Sequence, residues 1–107
     1  MNEIQTPVLL HPTGRLDANT SERFEHEMLE QLSASPQGMV MDFSDIGYVS
    51  SAGLRVVLLA AKKVKAAGGT FVLCGVSAPI LEVFRVSGFL SILTVVPDRD
   101  AALTRFA

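Results

Sequence analysis

Short apolar runs alternate along the chain with segments in which apolar residues recur every three or four positions. The runs at residues 8–11, 39–43, 70–74 and 92–96 are typical of buried strands, whereas the spaced segments after Thr20, at 52–67, at 79–86 and after Asp98 are typical of helices. An additional short strand at residues 3–5 would be a fifth. This alternation predicts an α/β fold with a mostly parallel, four- to five-stranded sheet and about four helices.

The boundaries of these elements are marked by loop and helix-capping residues. Residues 16–20 are predicted to form a loop, with Asn19 or Thr20 capping the helix that follows. Residues 44–50 are predicted to form a turn that leads into the second helix. Gly68-Gly69 is predicted to stop that helix, since glycine adopts the left-handed conformation without a steric penalty.

Ser50 and Ser51 lie where the strand pattern gives way to the second helix. The first amides of a helix lack internal partners, and the helix dipole favours negative charge there. A phosphate on either serine would therefore be tolerated by the helix and would add charge to the surface. The ordinary alternative is helix capping, which contributes about 1 kcal/mol and is the interpretation we keep for Ser50.

Composition restricts the classes of protein to which the chain can belong. With 107 residues, of which 49% are hydrophobic, the chain is expected to form one domain over residues 1–107. A net charge of −2 without a basic helix face argues against direct binding of nucleic acid, and no apolar run approaches the roughly 20 residues that span a bilayer. The single cysteine, Cys74, lies in an apolar run and is expected in the core. Without a signal peptide or an internal disulfide, we expect a cytoplasmic protein without membrane insertion.

Residues that carry catalysis or bind metals are sparse. His11 lies near a strand end and His26 on a glutamate-rich helix, so neither is expected to act as a general base for a serine. The sequence has no Gly-x-Ser-x-Gly elbow, no phosphate-binding loop ending in Gly-Lys-Ser/Thr, and no Cys/His spacing typical of zinc. We therefore predict that the chain is not an enzyme and uses no metal or other cofactor.

Three motifs together resemble the STAS domain, and specifically the free-standing bacterial anti-sigma-factor antagonists. They are Gly-Arg-Leu-Asp at 14–17, Tyr-Val-Ser-Ser-Ala-Gly-Leu-Arg at 48–55 and Val-Phe-Arg-Val-Ser-Gly-Phe at 83–89, within a resemblance covering about residues 7–104. In that family the phosphorylated serine lies two positions before the glycine of the second motif, which here is Ser51. Many members have an aspartate directly before the acceptor, where this chain has Ser50, and some have a hydroxyl directly after it, where this chain has Ala52.

The resemblance implies a partner-switching regulator of transcription. The unphosphorylated chain would bind a serine-kinase-type anti-sigma factor and release the sigma factor, phosphorylation of Ser51 would turn it off, and a metal-dependent serine phosphatase would restore it. The residues expected to contact partners are Asp17, Ser50, Ala52, Gly53 and Arg55. For Asp17 the alternative is an ordinary loop role, and for Arg55 the alternatives are a contact with the phosphate or a solvated helix position.

Two alternatives remain open at this stage. Asp42 and Asp45 have either ordinary loop roles or functional ones. The chain as a whole could instead be a non-enzymatic STAS subunit of a transport, lipid-trafficking or secretion complex, in which Ser51 would only cap a helix.

Overall fold

The computed structural model describes residues 6–34 and 37–106. These residues form six strands and four α-helices in the order β-β-α-β-β-α-β-α-β-α, with 3₁₀ turns at Phe89–Ser91 and Thr104–Phe106. The strands are β1 (Val8–Leu10), β2 (Gly14–Leu16), β3 (Gly38–Asp42), β4 (Ile46–Val49), β5 (Thr70–Cys74) and β6 (Val95–Val96). The helices are α1 (Ser21–Ala34), α2 (Ser51–Ala66), α3 (Ala78–Val86) and α4 (Arg99–Leu103).

Four of the strands form one parallel sheet in the order β1-β3-β5-β6. The interior strand β3 is buried at every position, which explains the apolar run at residues 39–41. The predicted α/β class, the parallel sheet and the four helices are confirmed.

A second, two-stranded parallel sheet pairs β2 with β4, and the sequence did not predict it. The turn predicted over residues 44–50 is wrong, because residues 46–49 form β4. The loop predicted over residues 16–20 begins at residue 17 instead, because Leu16 is the last residue of β2. Both strands are short and include exposed positions, so neither has a continuous apolar run. They are extended because they pair with each other, which is a tertiary effect.

Both faces of the main sheet are covered. On one face, α1 and α2 pack over the larger core, with Phe24, Met28 and Leu32 of α1 buried as their spacing predicts. On the other face, a smaller cluster forms around Val40, Cys74, Ala102 and Phe106. Cys74 is therefore a core residue, as expected.

The remaining boundaries agree with prediction except at two places. Among the described residues no side chain caps α1, because the Thr20 hydroxyl donates to the Arg15 carbonyl (2.7 Å) and accepts from the Asp17 amide (3.0 Å) instead. The strand predicted at 92–96 begins only at Val95, since the preceding 3₁₀ turn leaves Ile92 exposed.

The end of α2 and the start of α4 behave as expected. Gly68 has a positive φ of 77° and follows Ala67, the C-cap of α2, and Asp98 accepts a hydrogen bond from the Ala101 amide at 2.9 Å. The strand considered at 3–5 lies outside the described residues. Within residues 6–34 and 37–106, no helix is both long and apolar enough to cross a membrane.

Candidate functional site

The junction between β4 and α2 assigns different roles to the two adjacent serines. Ser50 is extended, with φ −88° and ψ 175°, and its hydroxyl oxygen accepts a hydrogen bond from the Gly53 amide at 3.4 Å. Its carbonyl accepts the first helical bond, from the Leu54 amide at 2.9 Å. Ser50 is therefore the N-cap of α2, as the sequence predicted.

Ser51 is the first residue of α2, and it is exposed. Within the described parts of the chain, its hydroxyl takes part in no hydrogen bond. Since Ser50 already provides the cap, the capping role that one alternative gave to Ser51 is filled by its neighbour. The Ser51 hydroxyl is therefore available for modification without the loss of a structural contact.

The junction is fixed against the end of β2. The Ser50 amide donates to the Leu16 carbonyl at 2.8 Å. A Cβ atom on Gly53 would lie only 2.5 Å from that same carbonyl oxygen, so a side chain at this position would collide with the backbone. A glycine is therefore needed for α2 to start this close to β2.

Asp17 follows Leu16 directly, so the pairing of β2 with β4 brings its loop beside the two serines. Its carboxylate accepts hydrogen bonds from the Arg15 side chain (3.2 Å) and from the Asn19 amide (3.0 Å). The Arg15 guanidinium, and to a smaller extent the Asn19 and Thr20 amides, outweigh the effect of burial and hold the pKa of Asp17 below its usual value. Asp17 is thus a half-buried, negatively charged residue at the edge of the junction.

Arg15 and Tyr48 form an exposed pair beside the junction that sequence reasoning missed. The Arg15 guanidinium carbon lies 4.2 Å from the centre of the Tyr48 ring, a cation–π geometry. The two residues are partners in the register of β2 with β4, one position before Leu16 and Val49. The only signal for this pair in the sequence was that each residue lies in one of the family motifs, at 14–17 and 48–55. Their contact depends on the pairing of β2 with β4, which was not predicted.

The other residues expected to contact a partner differ in exposure. Ala52 is half-buried and Gly53 is buried against Leu16, so Gly53 has a packing role and its partner contact remains a prediction. Arg55 is exposed, and one of its guanidinium nitrogens lies 3.8 Å from a Glu25 carboxylate oxygen in α1. Exposed residues at this end of α2 are therefore Ser51 and Arg55.

Asp42 and Asp45 belong to a separate network around α4. The buried Asp42 carboxylate accepts from the Arg99 side chain at 2.5 Å and from the Ser44 amide at 2.9 Å. Burial favours a higher pKa for Asp42, but the Arg99 and Ser44 hydrogen bonds outweigh it and lower the pKa. His11 connects Arg99 (3.1 Å) to Asp45 (2.8 Å). These contacts support a structural role, in which the network holds α4 on the sheet.

The ordinary requirements for catalysis by Ser51 are not met among the described residues. The side-chain partners of His11 are Asp45 and Arg99, and that of His26 is Glu30, so neither histidine is bonded to a serine. No group of three potential metal-binding side chains occurs in residues 6–34 and 37–106. Burial, as the largest cause, raises the pKa of the Cys74 thiol to about 11, which makes it a poor nucleophile.

Two sequence comparisons show which known proteins this chain resembles. The family model described as the STAS domain matches residues 1–102. BtrV of Bordetella bronchiseptica, which is named as a proposed anti-sigma factor antagonist, is 38% identical over 106 residues that cover 99% of this chain and 91% of BtrV.

Two solved structures share the fold. A proposed anti-sigma factor antagonist from Thermotoga maritima superposes with a TM-score of 0.86 at 18% identity, covering 92% of this chain and 85% of that one. The Bacillus cell fate determinant SpoIIAA in its phosphorylated form superposes with a TM-score of 0.71 at 19% identity, covering 92% of this chain and 89% of that one.

Proposed function

Since the chain belongs to the STAS domain family, we propose that it is an anti-sigma-factor antagonist controlled by phosphorylation of Ser51. In its unphosphorylated form it binds an anti-sigma factor that is itself a serine kinase, and the bound sigma factor is released. Phosphorylation of Ser51 by that kinase weakens the complex. A metal-dependent serine phosphatase removes the phosphate and restores binding.

The observation that carries this proposal is the division of roles between the two serines. Ser50 is committed to the cap of α2, whereas the exposed Ser51 hydroxyl has no partner among the described residues. A kinase that transferred phosphate to Ser50 would have to break the cap first. Ser51 is the better acceptor because its modification costs no contact of the unmodified fold.

The position of Ser51 also supports an effect on binding rather than on folding. A phosphoserine carries about −1.5 to −2 charges and three strong acceptor oxygens. At the first turn of α2 this charge meets free backbone amides and the positive end of the helix dipole. The domain tolerates the group, and the cost falls on a partner surface that must accommodate its charge, volume and hydration.

The proposed partner surface is the exposed region around the junction. It consists of Ser51, Arg55, Asp17 and the Arg15–Tyr48 pair. Arginine and tyrosine are common among residues that dominate the affinity of protein interfaces. This surface also carries both charge signs, so a dianion added at Ser51 changes its electrostatic pattern.

The chain itself acts without catalysis in this scheme. Neither histidine has Ser51 among its partners in the described parts of the chain, so in this scheme the phosphoryl transfer is carried out by the kinase. The fold supplies the acceptor residue and the docking surface.

The test is to map the product of the reaction with the cognate kinase and ATP by mass spectrometry. We expect phosphate on Ser51, its loss in Ser51→Ala and its retention in Ser50→Ala, which serves as the matched control. Phosphate on Ser50 alone, or a fully phosphorylated Ser51→Ala variant, would overturn the assignment. Absence of any phosphate would favour the alternative of a STAS subunit that is not a switch.

A further inference from the structure

Arg55 lies one turn after Ser51 on α2 and faces a carboxylate of another helix. Residues four positions apart on a helix are neighbours, with Cβ atoms about 5–6 Å apart. The Arg55 side chain is 72% exposed, and its guanidinium lies 3.8 Å from the Glu25 carboxylate of α1. A group attached to Ser51 would therefore lie within reach of the same guanidinium that now faces Glu25.

The pair between Arg55 and Glu25 is easily exchanged. A separation of 3.8 Å is at the long end for an ion pair, and no hydrogen bond joins the two side chains among the described residues. Both side chains also contact solvent, which screens their attraction. In the unmodified chain, Arg55 thus lies near Glu25 but is not fixed there by a hydrogen bond.

A phosphate on Ser51 would be the stronger partner for Arg55. It carries up to twice the charge of a carboxylate, and the planar guanidinium fork matches two phosphate oxygens at once. Because Ser51 and Arg55 are four positions apart on α2, they can pair without any movement of the helix backbone. We propose that Arg55 is the positioning residue of the switch, which leaves Glu25 and pairs with the phosphate when Ser51 is modified.

This inference rests on the proposed function and adds two consequences to it. Modification would remove the exposed Arg55 cation from the partner surface at the same time as it adds the phosphate. It would also release Glu25, so that one chemical event alters the contact between α1 and α2 as well as the junction.

The first test is a ³¹P NMR titration of the chain with phosphoserine installed at position 51 during translation, so that no kinase is needed. We expect the second pKa of this phosphate to lie below the value of about 6 of a free phosphoserine. It should rise measurably in Arg55→Gln and by a smaller amount in Arg55→Lys, which keeps the positive charge but loses the planar guanidinium fork. Lys62→Gln is the matched control and should leave the pKa unchanged, since Lys62 lies roughly 16 Å from Ser51 along α2. Equal pKa values in the unsubstituted chain and in Arg55→Gln would overturn the proposal.

The second test asks whether Glu25 is released. In the unmodified chain, Glu25→Gln should lower the melting temperature slightly, and in the phosphorylated chain the same substitution should leave it unchanged. An equal loss in both forms would mean that Arg55 stays with Glu25. A negative result in either test would not affect the assignment of Ser51 as the phosphate acceptor. Conversely, both tests use phosphoserine installed during translation, so they can be carried out even if the kinase does not modify Ser51.

Discussion

Gly53 and Leu16 are in direct backbone contact, since a Cβ atom on Gly53 would lie 2.5 Å from the Leu16 carbonyl oxygen and 2.7 Å from its Cβ. The same carbonyl accepts the Ser50 amide hydrogen bond. This contact sets the position of the first turn of α2, and with it the position of Ser51, relative to the Asp17 loop. The candidate site is thus built by the packing of one helix start against one strand end.

The contact predicts that Gly53→Ala destabilises the fold. Alanine favours a helix interior over glycine by up to about 1 kcal/mol, but here its methyl group would require the backbone of β2 to move. Because overpacking typically costs about 1–3 kcal/mol, we expect a net loss of stability in urea unfolding. Gly47→Ala is the matched control: a Cβ there comes no closer than 4.0 Å to its neighbours, and the variant should unfold near the unsubstituted midpoint. A Gly53→Ala variant more stable than the unsubstituted chain would show that α2 can shift freely.

The two serines should also differ in their effect on stability. Ser50→Ala removes the cap of α2 and should lower the free energy of unfolding by about 1 kcal/mol. Ser51→Ala removes an exposed hydroxyl and should change it by less than about 0.5 kcal/mol. Urea unfolding of both variants under the same conditions makes the comparison. If Ser51→Ala were the more damaging change, the assignment of the cap to Ser50 would be wrong.

The ionisation of Asp42 should make the stability of the fold depend on pH in the acidic range. Its pKa is lowered in the folded state, so its contribution to stability is present above the ordinary carboxyl value of about 3.9 and is lost as the pH falls through the lower folded value. Asp42→Asn should lose about 1–2 kcal/mol at neutral pH, at the lower end for charged hydrogen bonds because Arg99 is partly exposed. Its stability should also fall less steeply on acidification.

Asp100→Asn provides the control for Asp42, since it removes a nearby, exposed carboxylate of α4. Thermal unfolding at several pH values between about 3 and 7 separates the two variants. The same acid dependence in Asp42→Asn as in the unsubstituted chain would mean that another carboxylate is responsible.

The sequence predicted those elements whose signals are local. The five residues of β5 were predicted with their observed bounds, and α2 and α3 to within one residue, because their apolar spacing and their terminal glycines and serines are legible without tertiary structure. By contrast, β2 and β4 are extended only because they pair with each other. Their short sequences, with glycine and exposed positions, resemble loops.

The same distinction applies to the site. Ser50 as a cap followed from its position before a helical pattern, and the choice of Ser51 came from the family resemblance. The contacts that surround the serines join distant parts of the chain, as in Glu25 with Arg55 and Arg15 with Tyr48. Such pairs depend on the packing of α1 and the register of β2 with β4, which no local pattern encodes.

A phosphate on Ser51 should act on the interface with the anti-sigma factor. The most direct measurement is the affinity of that factor for the unmodified chain and for the chain phosphorylated on Ser51, measured by isothermal titration calorimetry under identical conditions. If the phosphate costs the complex about 2–4 kcal/mol, the affinity should fall roughly 30- to 1000-fold, and Ser51→Asp should reproduce only part of that loss. Equal affinities for the two forms, with Ser51 fully phosphorylated, would contradict the account.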